Sequence, residues 1–351
     1  MSSNHDGKFS MLVNSPAELS AAYASWYKRM LSEPGIPWGI PIIDKYVIPM
    51  RPGDLVGIVA RPGHGKSSLL AYFARTEAKR IIERGKVDEE VVVYVTWESS
   101  AEDIETFFLS DGQWSASDIA WGRVPYAEVA KRLVKRAAFP VWTIGHSIAR
   151  AGLPMPRMTL PAVLGAIESM QSDYGIKPVL LLFDYLQLIP VANARNRMEQ
   201  VLEAPPLIKE LAMRVGVPAV CGVQASRQVD ERKFKVPQPY DCQWGSSIEQ
   251  AADKLFGLWR PIQTEPPDAA PIEIEFTEDN RTAVLDITAT LLIMQMLKQR
   301  GDAGRKTWGL HFAPQYLRLE EQRRYDPADI QTEDTVPSNG VKTADMWENK
   351  F

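Results

Sequence analysis

The chain has 351 residues, 45% of them hydrophobic, with 40 Lys and Arg against 44 Asp and Glu and a formal net charge of −4. That length can bury a sizeable apolar interior, as one large domain or as a core with appendages. The acidic balance argues against a nucleic-acid binder that works through an overall basic surface, but not against one that grips with a few loops. Cys221 and Cys242 form no metal or disulfide pattern, and His5, His64, His146 and His311 are scattered. No N-terminal signal is visible and no apolar run is long enough to cross a bilayer, so the reading is of a cytoplasmic protein in a reducing compartment with no membrane partner.

In chain order, the first 14 residues are polar and read as a loose arm. Ser15-Pro16-Ala17-Glu18 has the form of a helix start, with Ser15 as N-cap, Pro16 at the first helical position and Glu18 closing a capping box. The helix runs to about Leu31 with Leu19, Tyr23, Trp26, Tyr27 and Met30 on an apolar stripe. That stripe packs either on the chain's own core or, because Pro34, Gly35 and Pro37 separate it from that core, on a neighbouring subunit. From Asp54 onward, strand-like runs at 55–60, 91–96, 179–188, 219–224 and 254–259 alternate with helical patterns at 67–84, 101–109, 126–138, 160–174 and 198–215. Buried Val- and Leu-rich runs separated by amphipathic segments predict an α/β fold, a mostly parallel twisted sheet with helices on both faces. Pro205-Pro206 predicts a break or a new helix start. Residues 261–279, rich in proline and acid, read as a surface excursion. Residues 283–297 and 307–312, joined through Arg300-Gly301-Asp302-Ala303-Gly304, read as a C-terminal β-hairpin. The charged tail beyond Glu320 is expected to be mobile, and no internal repeat is present.

Three segments carry chemistry. Ala60-Arg61-Pro62-Gly63-His64-Gly65-Lys66-Ser67, followed by Ser68, lies between a strand and a helix, the context of a P-loop. Its successive backbone N–H groups and the helix N-terminus would face a triphosphate, with Lys66 on the terminal phosphates and the Ser67 hydroxyl on Mg²⁺. ATP and Mg²⁺ are the expected cofactors, although Ala60 stands where the pattern begins with Gly. Asp184 ends the run Leu180-Leu181-Leu182-Phe183, where a carboxylate can orient the Mg²⁺ shell or merely cap a turn. Glu98 follows the 91–96 run, where it can polarise an attacking water or sit as an ordinary surface acid beside Ser99, Ser100 and Glu102.

Taken together, these motifs resemble the ATPase domain of bacterial and phage replicative helicases of the DnaB type, within the RecA-like P-loop NTPases. The likeness is carried by the 60–67 loop and by Asp184-Tyr185-Leu186-Gln187-Leu188. It continues through Val217-Pro218 with Gln224-Ala225-Ser226-Arg227, through Gly245-Ser246-Ser247-Ile248-Glu249-Gln250-Ala251-Ala252-Asp253, and through Lys298-Gln299-Arg300-Gly301. It spans roughly residues 35–312. The resemblance implies a homo-hexameric ring with ATP at each subunit interface. Gln224 would sense the γ-phosphate, and Lys298 and Arg300 would reach the adjoining subunit's nucleotide. An arginine supplied in trans is worth about 10³–10⁵ in rate. It also implies pore loops that hold single-stranded DNA, at 191–200 with Arg195 and Arg197 and at 232–247 with Arg232, Lys233 and Lys235. A loader, primase or polymerase could join as a further partner.

The departures are specific. Where the family carries an Arg-Glu-Ser-Gly run, this chain has Gln243-Trp244-Gly245-Ser246; Gln243 can still donate to phosphate and Trp244 can stack on a base, a contact of about 1–3 kcal/mol. The sequence leaves no room before Pro34 for the family's N-terminal collar, so an arm (1–34), an ATPase domain (35–319) and a tail (320–351) are expected. Three functions fit. The first is an ATP-driven ring helicase moving 5′ to 3′ on single-stranded DNA in replication of a phage, plasmid or mobile element. The second is a RecA-like ATPase that assembles on DNA or a partner without unwinding. The third is an ATP-binding scaffold, which the full set Lys66, Glu98, Asp184 and Arg300 disfavours.

Overall fold

A computed structural model describes residues 13–192, 194–242, 247–266, 268–276, 281–301 and 306–321. The expected arm up to residue 12, the loop residues Gln243, Trp244, Gly245 and Ser246, most of the 300–304 turn, and the tail from 322 lie outside the described residues. Helix α1 (Pro16–Ser32) starts as its sequence dictates, with Ser15 and Glu18 closing a reciprocal capping box. None of its residues is buried, and Leu19, Tyr23, Trp26, Tyr27 and Leu31 are exposed. Packing on the chain's own core is therefore not what this stripe does within the subunit; among the described residues its aromatic tie to the core side is Arg51 over the Trp26 ring at 5.9 Å.

Beyond the short helix α2 (Pro41–Tyr46), the chain alternates β1 (Leu55–Ala60), α3 (Lys66–Glu83), β2 (Glu90–Thr96), α4 (Ala101–Leu109), α5 (Ala116–Ala120), α6 (Tyr126–Ala137), β3 (Val141–Ile144), α7 (Leu160–Tyr174), β4 (Lys177–Asp184), α8 (Arg197–Val215), β5 (Ala219–Gln224), α9 (Ser247–Ala251) and β6 (Lys254–Trp259). It ends in β7 (Ile272–Phe276), β8 (Arg281–Leu285), β9 (Leu291–Gln299), β10 (Lys306–Ala313) and β11 (Arg318–Glu321). Among the described residues nine strands form one sheet in the order β11-β10-β9-β6-β1-β5-β4-β2-β3. The run from β6 to β3 is parallel, while β9, β10 and β11 pair antiparallel. The expected sheet, helices and C-terminal hairpin are thus present.

Successive side chains of each strand turn to opposite faces of the sheet, and in β1 both sets are buried. Val56, Ile58 and Ala60 pack with Leu69, Leu70 and Phe73 of α3 and with Trp38. Leu55 and Val59 pack on the other face with Val163 and Ile167 of α7 and Ile208 and Leu211 of α8. Both faces of the parallel part are covered, as its near-continuous Val and Leu content requires.

Four expectations are corrected. The 179–188 run is not one strand: β4 stops at Asp184 and residues Leu186–Leu188 form a 3₁₀ turn, because buried Gln187 bonds sideways to the β5 backbone instead of extending a ladder. Helix α8 does not break at Pro205-Pro206. The carbonyl of Val201, which Pro205 leaves without its helical donor, accepts from the Ser247 hydroxyl at 3.2 Å, and the buried face Val201, Ala204, Ile208 and Leu211 holds the helix together. The 261–279 segment is not only an excursion, since β7 pairs with β8 and covers Trp259, Val236, Leu291 and Ile293 in a third apolar cluster. That same pairing divides the 283–297 run between β8 and β9. Strands β3 and β11 and helices α2 and α5 are too short to carry a readable period.

Asp253 fixes how β9 joins the sheet. One carboxylate oxygen accepts from Leu55 N at 2.8 Å and from Lys209 Nζ at 2.5 Å, the other pairs with Arg300, and the Asp253 carbonyl accepts from Arg300 N at 2.8 Å. Asp253→Ala would orphan a buried N–H and the half-buried Lys209, at a cost of about 2–4 kcal/mol. Urea unfolding should show the midpoint drop, and an Arg300→Ala protein, which loses only an exposed pair, should unfold close to wild type.

Candidate active site

Strand β1 delivers Ala60 into a loop whose Gly63 and Gly65 have φ of +79° and +89°, a left-handed conformation that favours glycine. Gly65 is doubly constrained, because a Cβ there would stand 2.8 Å from Phe312 Cε1 of β10. It is also the N-cap of α3, so Lys66, Ser67 and Ser68 form the first turn, where unpaired N–H groups and the helix dipole gather positive potential. Lys66 Nζ rests on the carbonyls of Ala60 and Arg61, 3.2 Å each. Burial lowers its pKa to about 8, against the opposing pull of Asp184 and Glu98. An ammonium held only by neutral carbonyls is poised to move onto phosphate oxygens.

Two members of the loop support it rather than face a ligand. Arg61 Nε pairs with Asp230 at 3.0 Å and Nη1 donates to Ala225 O at 3.1 Å, tying the loop to the segment after β5. His64 is buried, and its Nδ1 accepts from the Arg260 backbone N–H at 3.0 Å. Burial first, and the charge of Lys66 second, lower its pKa to about 4, so the ring is neutral. Pro62 and Gly63 are exposed at the tip.

The parallel register brings the other groups alongside. Ala60 pairs with Gln224 and Thr96 with Asp184, so the carboxyl ends of β1, β5, β4 and β2 lie along one edge of the sheet. Asp184 is buried, its Oδ2 accepts from Tyr94 Oη at 2.8 Å, and the Ser67 side chain approaches the same carboxylate. Burial raises its pKa, while Ser67, Tyr94 and Lys66 pull the other way. Its Oδ1 is buried with no hydrogen-bond partner among the described residues. An orphaned carboxylate oxygen beside a P-loop hydroxyl fits Mg²⁺, an ion that takes one or two protein oxygens and completes its shell with phosphates and water. No cluster of three His, Cys, Asp or Glu side chains suited to an all-protein metal site occurs among the described residues.

Glu98 is exposed on the turn after β2, and partial burial and the charge of Asp184 raise its pKa while Lys66 opposes them. The turn is fixed by Trp97, which stacks on Phe183 and donates to Met158 O at 2.7 Å, and by Thr96, whose hydroxyl accepts from Ser99 N at 3.1 Å. Gln224 ends β5, and the Gln187 side-chain amide clamps its backbone through two 3.1 Å bonds. Gln187 and Tyr94 escaped the sequence reading. The signal for each was a polar tip inside an apolar run, which demands a buried partner.

Lys298 and Arg300 are not brought to this edge. Strand β9 runs antiparallel to β6, with Gln299 opposite Lys254 at the start of β6. They therefore sit at the far edge of the sheet, about 20 Å from the P-loop by the length of a six-residue strand. Lys298 Nζ donates to the carbonyls of Glu249 and Gln250, and Arg300, with its side chain 66% exposed, pairs with Asp253 at 3.1 Å. Of the proposed DNA contacts, Arg195, Arg197 and Lys233 are exposed. Arg232 is paired with Asp241 and lies over Tyr240, and Lys235 is paired with Glu265. No described helix is long and apolar enough to cross a membrane.

Residues 35–321 match the family described as DnaB-like helicase C terminal domain. The chain belongs to this family. Curated relatives of this DnaB-like chain include the replicative DNA helicase DnaB of Geobacillus stearothermophilus, 25% identical over 231 residues, 64% of this chain and 47% of that protein. The DnaB of Helicobacter pylori is 29% identical over 238 residues (66% and 45%), and a probable plasmid replicative DNA helicase of Chlamydia psittaci 27% over 231 (64% and 46%). The chain spans about half the length of the curated relatives it matches. Among solved structures, one described as an ATPase domain superposes with a TM-score of 0.68 at 18% identity, over 88% of this chain and all of that one. A DnaB-like replicative helicase described with its interactions with primase superposes with a TM-score of 0.65 at 18% identity, over 89% and 68%. Both likenesses establish the DnaB-like fold.

The His64 contact makes the P-loop sensitive to acid. A histidine whose folded pKa is depressed contributes stability that is complete above its unfolded value near 6.5 and is lost as the pH falls toward about 4. Denaturation midpoints measured from pH 7.5 to 4.5 should fall over that window, and His64→Gln should flatten this part of the slope.

Proposed function

We propose that the protein is an ATP-dependent, ring-forming DNA helicase, a translocase moving 5′ to 3′ on single-stranded DNA in replication of a phage, plasmid or mobile element. The observation that carries this reading is the division of the chemical set between opposite edges of the sheet. Lys66, Ser67, Asp184, Glu98 and Gln224 share one edge, and Lys298 and Arg300 stand at the other. A subunit cannot bring its own finger to its own nucleotide, whereas head-to-tail neighbours can. Such a heterologous contact closes into a ring, here a homo-hexamer, or continues as a filament. The exposed stripe of α1 supplies an apolar surface for latching neighbours.

In this mechanism the P-loop N–H groups and Lys66 would bind the triphosphate, and Ser67 and Asp184 would hold Mg²⁺. When bound, the ion neutralises phosphate charge. Glu98, whose pKa is raised, accepts a proton from the attacking water, and Gln224 reads the γ-phosphate from a backbone that Gln187 keeps rigid. Arg300 of the neighbour offsets charge in the transition state. Arg195, Arg197 and Lys233 would hold the phosphates of one strand, and a loader, primase or polymerase would act alongside.

One observation favours a DNA-dependent ATPase that does not unwind: Arg232 and Lys235 are already paired with Asp241 and Glu265, which weakens the second pore loop's grip. ATP hydrolysis with and without single-stranded DNA, measured beside displacement of a forked duplex, separates the two. DNA-stimulated hydrolysis with displacement from a 5′ tail is expected; stimulated hydrolysis without displacement selects the second reading. Arg300→Ala should lower kcat by about 10³-fold or more and Lys66→Ala should abolish turnover. Equal mixing of the two variants should restore activity at about a quarter of the interfaces of a heterologous ring. No recovery at any ratio would remove the finger in trans.

A further inference from the structure

Tyr94 lies in the otherwise apolar run Val91-Val92-Val93-Tyr94-Val95 of β2 and is fully buried. Its register partner is Leu182, and Thr96, two residues on, pairs with Asp184. With a period of two, Tyr94, Leu182 and Asp184 share one face of the sheet, the face on which α3 packs. The first turn of α3 holds Lys66 and Ser67, so the phenol rises through the core toward the base of the phosphate site. Its hydroxyl lies 2.8 Å from Asp184 Oδ2, with the Ser67 carbonyl at 3.5 Å, and its ring is held edge-on by Phe108 at 6.5 Å.

We infer that Tyr94 is a positioning residue for the metal site, fixing Asp184 by one carboxylate oxygen so that the other stays available to the Mg²⁺ shell. This rests on the reading of the P-loop as a Mg²⁺–nucleotide site. A carboxylate on a strand end can rotate, and a rigid phenol anchored in the core removes that freedom. Oδ2 is committed to Tyr94, and Oδ1 is buried without a hydrogen-bond partner among the described residues. Partners of this kind behind a metal-holding carboxylate typically govern metal affinity by about 10–100-fold.

A phenol that only satisfied itself on the nearest acceptor would affect stability and leave metal use alone. The test is therefore the gain in nucleotide affinity that Mg²⁺ confers, from equilibrium binding of a fluorescent ATP analogue in excess Mg²⁺ and again in EDTA. The proteins are the 351-residue wild-type chain and its Tyr94→Phe and Asp184→Asn variants. Tyr94→Phe should shrink the gain about tenfold, leave the EDTA affinity unchanged and raise the Mg²⁺ needed for half-maximal hydrolysis more than it lowers kcat. Asp184→Asn should remove most of the gain. If Asp184→Asn removes it and Tyr94→Phe leaves it intact, or weakens binding equally with and without Mg²⁺, the positioning role is overturned while the site stands. If Asp184→Asn changes nothing, the site reading fails and the inference with it. Should Tyr94→Phe not fold, Tyr94→Met fills the space flexibly and reads the same difference.

Discussion

Everything at the site depends on strand register. Parallel pairing of β1 with β5 and of β2 with β4 sets Ala60 beside Gln224 and Thr96 beside Asp184, so the glycine-rich loop, Glu98, Asp184 and Gln224 emerge from one edge. Each strand is buried on both sides, and a slip of one residue would turn its whole apolar set to the wrong face. The positions of these groups are therefore set by the hydrophobic core and not by contacts among themselves. The antiparallel return of β9 uses the same sheet to opposite effect, carrying Lys298 and Arg300 to the far edge. Asp253 locks that return by bonding at once to the first residue of β1, to α8 and to Arg300.

Electrostatics at the site follows from that placement. Lys66, Glu98 and Asp184 are close enough to perturb one another, and burial is the largest influence on each. It raises the two acids and lowers the lysine; Lys66 opposes the shift of both acids and they oppose its own, while the charge of Asp184 adds to the shift of Glu98. Such a cluster is the expected signature of a site built to receive a highly charged ligand. The loops assigned to DNA show the contrary pattern: Arg232 and Lys235 are neutralised inside the subunit, while Arg195, Arg197 and Lys233 remain exposed. A net charge of −4 over the whole chain is compatible with that arrangement, because only a few cations on one rim need face a nucleic acid.

The sequence made the alternating architecture legible because buried parallel strands are dense in Val and Leu, and the P-loop legible because glycines in left-handed backbone precede a helix start. The capping box of α1 was equally readable, being a purely local interaction. What escaped depends on contacts distant in sequence. The prolines in α8 signal a break unless one knows that Ser247, 46 residues after Val201, supplies a donor to the freed carbonyl. The alternation Ile272-Glu273-Ile274-Glu275 reads as acidic surface unless β8 is there to make it half of a sheet over Trp259. Gln187 and Tyr94 fall in the same class, for their roles are set by β5 and β4. Among the site residues, the spacing of Arg61 and His64 placed them in the loop but gave no hint that both turn away to brace it.

Those braces have a mechanical consequence. The wall behind the P-loop is built from β10 and the turn after β6: Phe312 of β10 closes on Gly65, the Arg260 N–H holds His64, and Gln263 approaches Gly63. Strand β9 lies between β6 and β10 in the sheet, contains Lys298 and is followed by Arg300, the residues proposed to reach a neighbour. The element that backs a subunit's own phosphate loop is thus continuous with the element that would reach the next subunit's nucleotide. A packed sheet deforms little, so a displacement of the P-loop wall would be felt at the far edge. In the proposed ring this would link occupancy of one site to the position of Arg300 at the next through β9 and β10.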